Sequence, residues 1–178
     1  MSKVVILIGS PRKGGNTETL AKAFAEAARN HHDVEILSVA DLKVAPCIGC
    51  NTCFTRKGNA CFRHDDMDKV YATLATADIL VIASPVYFYG ISSQLKAVID
   101  RLHTPLRNTF HIKQACILLC GAANLPELFD AILKQYELAL KFFDIEDLGH
   151  ILVRSVKEKG DIQKTSAITE AQNLGERI

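Results

Sequence analysis

Val4-Val5-Ile6-Leu7-Ile8-Gly9-Ser10-Pro11-Arg12-Lys13-Gly14-Gly15-Asn16-Thr17 carries three signals in one short stretch. Val4–Ile8 is a continuous apolar run, as expected of a strand buried on both faces. Gly9 to Gly15 is a loop rich in glycine and small polar residues. From Thr17 to Arg29 the residues Leu20, Phe24, Ala27 and Ala28 fall on one face of a helix. A strand that passes through a glycine-rich loop into a helix presents unpaired amide groups and the positive end of a helix dipole to whatever occupies the loop. Asn16 or Thr17 can cap the helix. Ser10, Asn16 and Thr17 add neutral donors, Arg12 and Lys13 add charge, and Gly14 and Gly15 let the backbone approach closely. This chemistry suits a terminal phosphate. The Walker A spacing fails because Gly15-Asn16 follows Gly14 where Lys-Ser/Thr is needed, and the Gly-x-Gly-x-x-Gly fingerprint is absent.

Outward from this stretch the pattern repeats. Further strand runs are expected at Val34–Leu37, Ile79–Ala83, Cys116–Cys120 and Ile151–Val153. Helical spacing is expected over 66–76, 92–103 and 125–143, with a weak last helix over 166–177. Five strand–helix alternations predict an α/β fold, a doubly wound five-stranded parallel sheet with helices on both faces. Such sheets bind ligands at the carboxyl ends of their strands. This directs attention to the loops at Gly9, Pro85 and Gly121. No internal repeat or linker interrupts the chain, so residues 1–178 read as one domain, with a long Cys-rich loop at about 44–64.

The third strand runs into Ser84-Pro85-Val86-Tyr87-Phe88-Tyr89-Gly90. Three consecutive aromatics after a buried strand ask to be covered, either by a flat ring or by a neighbouring subunit or helix. A phosphate site and a ring site at adjacent strand ends point to a phosphorylated planar cofactor.

Cys47, Cys50 and Cys53 are spaced Cys-x2-Cys-x2-Cys, and Cys61 follows. Three thiolates at this spacing can converge on an iron–sulfur core with a fourth. Free thiols, zinc and a disulfide remain open, although no second Cys-x2-Cys knuckle favours zinc. Cys50 to Arg56 also fits Cys-x5-Arg, but no glycine between them forms a phosphate nest. Cys116 and Cys120 sit in an apolar strand and read as core.

The chain has 178 residues with a formal net charge of +1, 48% hydrophobic and 23% charged residues, which excludes no globular class but offers no basic patch for nucleic acid. The first apolar run is too short to span a membrane and lacks a leader's cleavage region. A cytoplasmic protein with no nucleic-acid or membrane partner is expected, and reduced cysteines with it.

Gly9-Ser10-Pro11-Arg12, Gly15-Asn16-Thr17, Ser84-Pro85-Val86-Tyr87 through Gly90, Leu95-Lys96 and Asp100-Arg101 resemble the NADPH-dependent FMN reductase group of the flavodoxin-like superfamily. The resemblance covers roughly the first hundred residues. It implies a flavodoxin-like fold and FMN bound with its phosphate at Ser10, Arg12, Lys13, Gly15, Asn16 and Thr17. Its isoalloxazine ring would lie at Pro85, Val86, Tyr87, Phe88, Tyr89 and Gly90, with Gly121 and Ala122 on its other side. The cysteine pattern on this fold resembles the iron–sulfur flavoproteins. There Cys47, Cys50, Cys53 and Cys61 would hold a [4Fe–4S] cluster close to a partner subunit's flavin, implying a homodimer or homotetramer. NAD(P)H is the candidate donor, and the other electron partner is a small molecule or a protein. Flavin chemistry demands no catalytic acid or base from the chain. Three functions follow: an iron–sulfur flavoprotein, a cluster-free NAD(P)H-dependent FMN or quinone reductase, and a non-catalytic flavin or thiol redox sensor.

Overall fold

The computed structural model describes residues 1–178. Its elements alternate: β1 (Lys3–Ile8), α1 (Asn16–Ala28), β2 (Asp33–Ser38), α2 (Thr52–Thr55), α3 (Met67–Leu74), β3 (Ile79–Pro85), α4 (Ser93–Asp100), β4 (Gln114–Cys120), α5 (Asp130–Phe143), β5 (Glu146–Val153) and α6 (Ala167–Arg177). The sheet is parallel throughout, in the order β2-β1-β3-β4-β5. This is the flavodoxin-like doubly wound arrangement, and the strand order reverses between β1 and β3.

The continuous apolar runs have a simple cause. Val4, Ile6 and Ile8 of β1 point into one core layer with α1 and α6. Val5 and Leu7 point into a second layer with α3, α4 and α5. A strand with helices on both faces has no solvent side, so polar residues have nowhere to alternate.

Element boundaries differ from the sequence expectation where local chemistry overrides periodicity. α1 is capped by Gly15, with no side-chain cap, rather than by Asn16 or Thr17. α4 stops at Asp100, because Thr104-Pro105 opens a separate 3-10 turn just beyond it. α5 begins at Asp130, after a turn over 125–129. β5 starts at Glu146, well before Ile151. β5 is an edge strand, the exposed residues of its first half hide it from a hydrophobicity reading, and its register against β4 shifts between Ala115 and Ile117. α2 is a single turn inside the Cys-rich loop and has no sequence signal.

Gly9 closes β1 against α4. A Cβ there would lie 2.6 Å from Leu95 Cδ2 and 3.1 Å from the Ala83 carbonyl. Its N–H donates to Ala83 O at 2.7 Å, drawing the ends of β1 and β3 together. Ser92 caps α4: its hydroxyl accepts from Leu95 N at 3.1 Å and donates to Gly9 O, while Ser92 N donates to Ser84 Oγ at 3.2 Å. The start of α4 is thereby tied to the strand ends where a ligand would sit.

Candidate functional site

A cleft opens at the carboxyl ends of β1, β3 and β4. Its wall is formed by Ser10, Arg12, Gly15, Asn16 and Thr17 from the first loop and the start of α1, by Pro85 at the end of β3 with Val86 and Tyr87 after it, by Cys120 at the end of β4 with Ala122 after it, and by Val156 and Lys157 beyond β5. Sequence stretches read separately as a phosphate site and a ring site thus border one space at the topological switch point. At its floor is the N-terminus of α1. No side chain caps it, and the first amides have no carbonyl one turn back to receive them. That is the donor set an anionic phosphate needs.

The side chains of the first loop divide in two. Ser10 Oγ accepts from Arg12 N at 3.2 Å, folding the loop on itself, and Arg12 Nη1 donates to Lys157 O at 3.3 Å. Asn16 serves as a clamp rather than a free donor. Its Nδ2 donates to Glu158 O at 2.9 Å, and its Oδ1 accepts from Gly160 N at 3.1 Å and Ile162 N at 3.3 Å. Asn16 thereby pins the segment that supplies Val156 and Lys157, two residues that sequence reading missed. Lys157-Glu158-Lys159 is exposed as its composition suggests; only its long-range bonds to Asn16 and Arg12 bring it to the cleft. Lys13 turns away and pairs with Asp41. The Cys120 thiol is pushed up to about 12 by burial, which a hydrogen bond from Thr17 only partly offsets, so this wall sulfur stays protonated at neutral pH.

The aromatic loop forms a tight hairpin. Tyr87 N donates to Gly90 O at 2.9 Å and Gly90 N to Tyr87 O at 3.1 Å. The two residues between them, Phe88 (φ 48°) and Tyr89 (φ 62°), are both left-handed, a conformation that such turns usually assign to Asn-Gly. Gly90 has ordinary φ and room for a Cβ, whose nearest neighbour would be Tyr87 O at 3.6 Å. The glycine of this loop is thus not the strained position. Tyr87, Phe88 and Tyr89 are 47%, 98% and 46% exposed, so this chain leaves Phe88 uncovered and covers only about half of each tyrosine. Tyr87 borders the cleft, whereas Tyr89 and Gly90 border a neighbouring hollow with Ile91 and Lys96. The amides of Val86, Tyr87 and Gly90 are all engaged within the protein. Gly121 lies behind the wall. A Cβ there would stand 2.5 Å from Leu128 Cδ2, so its smallness permits the close packing of the β4 end.

A second pocket lies at the far end of α4. Cys47, Cys50, Cys53 and Cys61 all line it, with Phe54, Arg63, Tyr71, Asp100, Arg101 and His103. Donors already converge on two sulfurs: Gly49 N on Cys47 at 3.4 Å and Thr52 Oγ1 on Cys50 at 3.2 Å. The Thr52 hydroxyl and neighbouring amides hold the Cys50 thiol below its usual range. The loop is anchored at Asp65. Its Oδ2 accepts from Arg101 Nη1 at 2.6 Å and Ala45 N at 3.0 Å, and its Oδ1 accepts from Met67 N at 3.2 Å. Burial alone would lift the Asp65 carboxyl, but the Arg101 bond and the two amides bring it below its ordinary value of 3.8.

The residues of this pocket fit a thiolate-bound anionic group. Four thiols share one pocket, and Arg63 Nε, Arg101 Nε and Arg101 Nη2 are buried with no acceptor. The thiols are not drawn into a finished ligand set: no three His, Cys, Asp or Glu side chains are gathered closely enough to hold a metal ion. Cys116 and Cys120 are buried in β4. An apolar cavity beneath α5, lined by Leu80, Ile82, Ile117, Ile132 and Leu140, has only Arg107, Gln135 and Tyr136 for polar contacts and suits no phosphate. No helix is long and apolar enough to cross a membrane.

Comparison with known proteins adds to this geometry. The chain is 40% identical over 112 residues to an iron–sulfur flavoprotein of Methanocaldococcus jannaschii, covering 62% of this chain and 56% of that protein. It is 26% identical over 185 residues to a Bacillus subtilis protein named as an NAD(P)H-dependent FMN-containing oxidoreductase, covering 98% and 97%. The chain spans about half to two thirds of the length of the first iron–sulfur flavoproteins it matches. The solved structure of an NAD(P)H:quinone oxidoreductase from Methanothermobacter marburgensis shares its fold, with a TM-score of 0.77 at 14% identity over 99% of this chain and 96% of that one. The family model for NADPH-dependent FMN reductase matches residues 2–128, which include both loops of the cleft and the whole cysteine loop, and the chain belongs to that family.

Proposed function

We propose that this chain is an NAD(P)H-dependent oxidoreductase that holds FMN in the cleft at the β1/β3 switch point. In this reading it passes electrons to a [4Fe–4S] cluster carried by Cys47, Cys50, Cys53 and Cys61. The observation that carries the flavin reading is the meeting of the uncapped α1 N-terminus and the Pro85–Tyr87 wall in one cleft. FMN, when bound, accepts a hydride and releases its electrons singly or in pairs. The first amides of α1 and the Arg12 guanidinium hold the phosphate, where charge and dipole act together. Pro85, Val86, Tyr87 and Ala122 line the space for the ring, and Asn16 holds the Val156–Lys157 segment as the closing wall. The exposed aromatic turn at Phe88 and Tyr89 meets the electron partner or a second copy of the chain. Residues 1–178 act as one domain in a homodimer or homotetramer in the cytoplasm, and the physiological partner is a small molecule or protein that exchanges electrons.

A second reading, a cluster-free FMN or quinone reductase, is favoured by one observation. The relative aligned over nearly its whole length is named for FMN and NAD(P)H alone. Flavin, iron, sulfide and zinc content of anaerobically purified protein separates the two. FMN with about four irons and four sulfides per chain is the expected result. FMN without iron moves the assignment to the second reading, and protein that takes up no FMN overturns both. Steady-state NAD(P)H oxidation with flavin bound then distinguishes an enzyme from a redox sensor.

A further inference from the structure

Arg101 is 4% exposed, the only arginine among the buried residues. One edge of its guanidinium is spoken for: Nη1 donates to Asp65 Oδ2 at 2.6 Å and to Ala45 O at 3.1 Å. The other edge, Nε with Nη2, is buried and has no acceptor. Buried donors are rarely left this way, and each such group calls for an explanation. Arg63 repeats the pattern, with its Nε buried and unpartnered in the same pocket. Both arginines line one pocket with four thiols. Cys47, Cys50, Cys53 and Cys61 line the pocket, and its one carboxylate, Asp100, is paired with Lys96.

We propose that Arg101, assisted by Arg63, is a positioning residue that sets the potential of the cysteine pocket: its unpartnered edge stands against the anionic cluster and draws the one-electron couple to higher potential. This rests on the cluster reading above. A cluster held by four thiolates is a net anion, and one electron from reduced FMN adds a further negative charge without making or breaking a bond. A fixed cation favours the more negative state, more so out of water. Arginine suits the task because it cannot lose its proton in a protein. Burial opposes the Arg101 charge, but Asp65, Cys61 and Tyr71 outweigh it and hold the group protonated. The potential of such clusters responds to net charge and to hydrogen bonds at the sulfurs.

The test uses the full chain with FMN bound, reconstituted anaerobically with ferrous iron and sulfide. The cluster is titrated by absorption and electron paramagnetic resonance rather than by turnover. Arg101→Gln is expected to make reduction at least tenfold less favourable, a fall of about 59 mV for a one-electron couple. Arg101→Lys, which keeps the charge, stays within a third of that shift. Arg63→Gln moves the couple the same way by a smaller amount. Asp65→Asn, which removes the opposing charge, moves it upward, whereas mere loosening of the Asp65–Arg101 anchor moves Asp65→Asn and Arg101→Gln in the same direction. An unmoved midpoint in an Arg101→Gln protein that retains flavin and iron overturns the inference and leaves the cluster reading intact. If Arg101→Gln fails to retain FMN, Arg63→Gln decides, and an unmoved midpoint there overturns it. Wild-type protein with FMN but no iron overturns the cluster reading, and the inference with it.

Discussion

At the scale of single residues, strain and charge sit where function is proposed. Phe88 and Tyr89 hold left-handed backbone that aromatic residues seldom adopt, at a cost of order 1 kcal/mol or more each. Replacing the pair with Asn-Gly supplies the residues the turn prefers. The Phe88→Asn/Tyr89→Gly protein should gain roughly 1–2 kcal/mol in denaturant titration while self-association and electron exchange with its partner weaken. A protein that gains stability and keeps both its oligomeric state and its rate of electron exchange would strip the aromatic turn of its proposed role. Asp65 offers a pH test. Its carboxyl lies below its ordinary 3.8 in the fold, so its stabilisation is fully present above that value and is lost as pH falls through the lowered one. Asp65→Asn should therefore cost about 3 kcal/mol at neutral pH, because it strands a buried arginine. The two proteins should converge in stability as pH drops below 3.8, and parallel curves across that range would refute the anchor. Asp65 stands just before the helix expected over 66–76, and one of its oxygens accepts from Met67 N at that helix's start. Its partnership with Arg101, thirty-six residues on, had no local signature. Arg12 is the residue-scale test of the flavin cleft. Losing one charge-assisted bond to phosphate should weaken FMN binding by about 10- to 100-fold in a fluorescence titration of Arg12→Ala.

At the scale of elements, what was legible was what repeats. Each strand's apolar run and each helix's one-sided spacing appear as expected, because burial between two layers leaves a periodic trace. α6 is the instructive exception. Its sequence pattern is weak, yet it packs closely on α1 because of one residue: a Cβ on Gly175 would lie 2.5 Å from the Phe24 carbonyl and 3.1 Å from Ala28 N. Backbone cannot yield as a side chain does, so Gly175→Ala should lower stability by about 1–3 kcal/mol in thermal or denaturant unfolding. A neutral result would mean that α6 slides on α1 without cost. The exposed first half of β5 and the turn α2 were illegible for the opposite reason, since neither buries a regular face.

At the scale of the whole molecule, the two pockets draw on segments far apart in sequence. The cleft needs the ends of β1, β3 and β4 and a loop beyond β5, which Asn16 brings in across more than a hundred residues. The loop motifs were readable because each is local, whereas Val156 and Lys157 were not, because their place depends on the closed fold. FMN bridging these segments should stabilise the chain as a unit. At a free concentration a hundred times its Kd the gain is about 2.7 kcal/mol, read as a rise in Tm that Arg12→Ala diminishes at the same FMN concentration.

The length of α4 has a kinetic consequence. Its cap is bonded to Gly9 and Ser84 beside the cleft, and its last residue borders the cysteine pocket. Eight helical residues rise about 12 Å. Tunnelling decays exponentially with separation, so donor and acceptor at opposite ends of one α4 exchange electrons more slowly than a pair brought closer together across a subunit contact. Diluting the reconstituted protein until protomers part should then slow the second phase of a stopped-flow trace, the arrival of electrons at iron, and leave the first, bleaching of the flavin by NAD(P)H, unchanged.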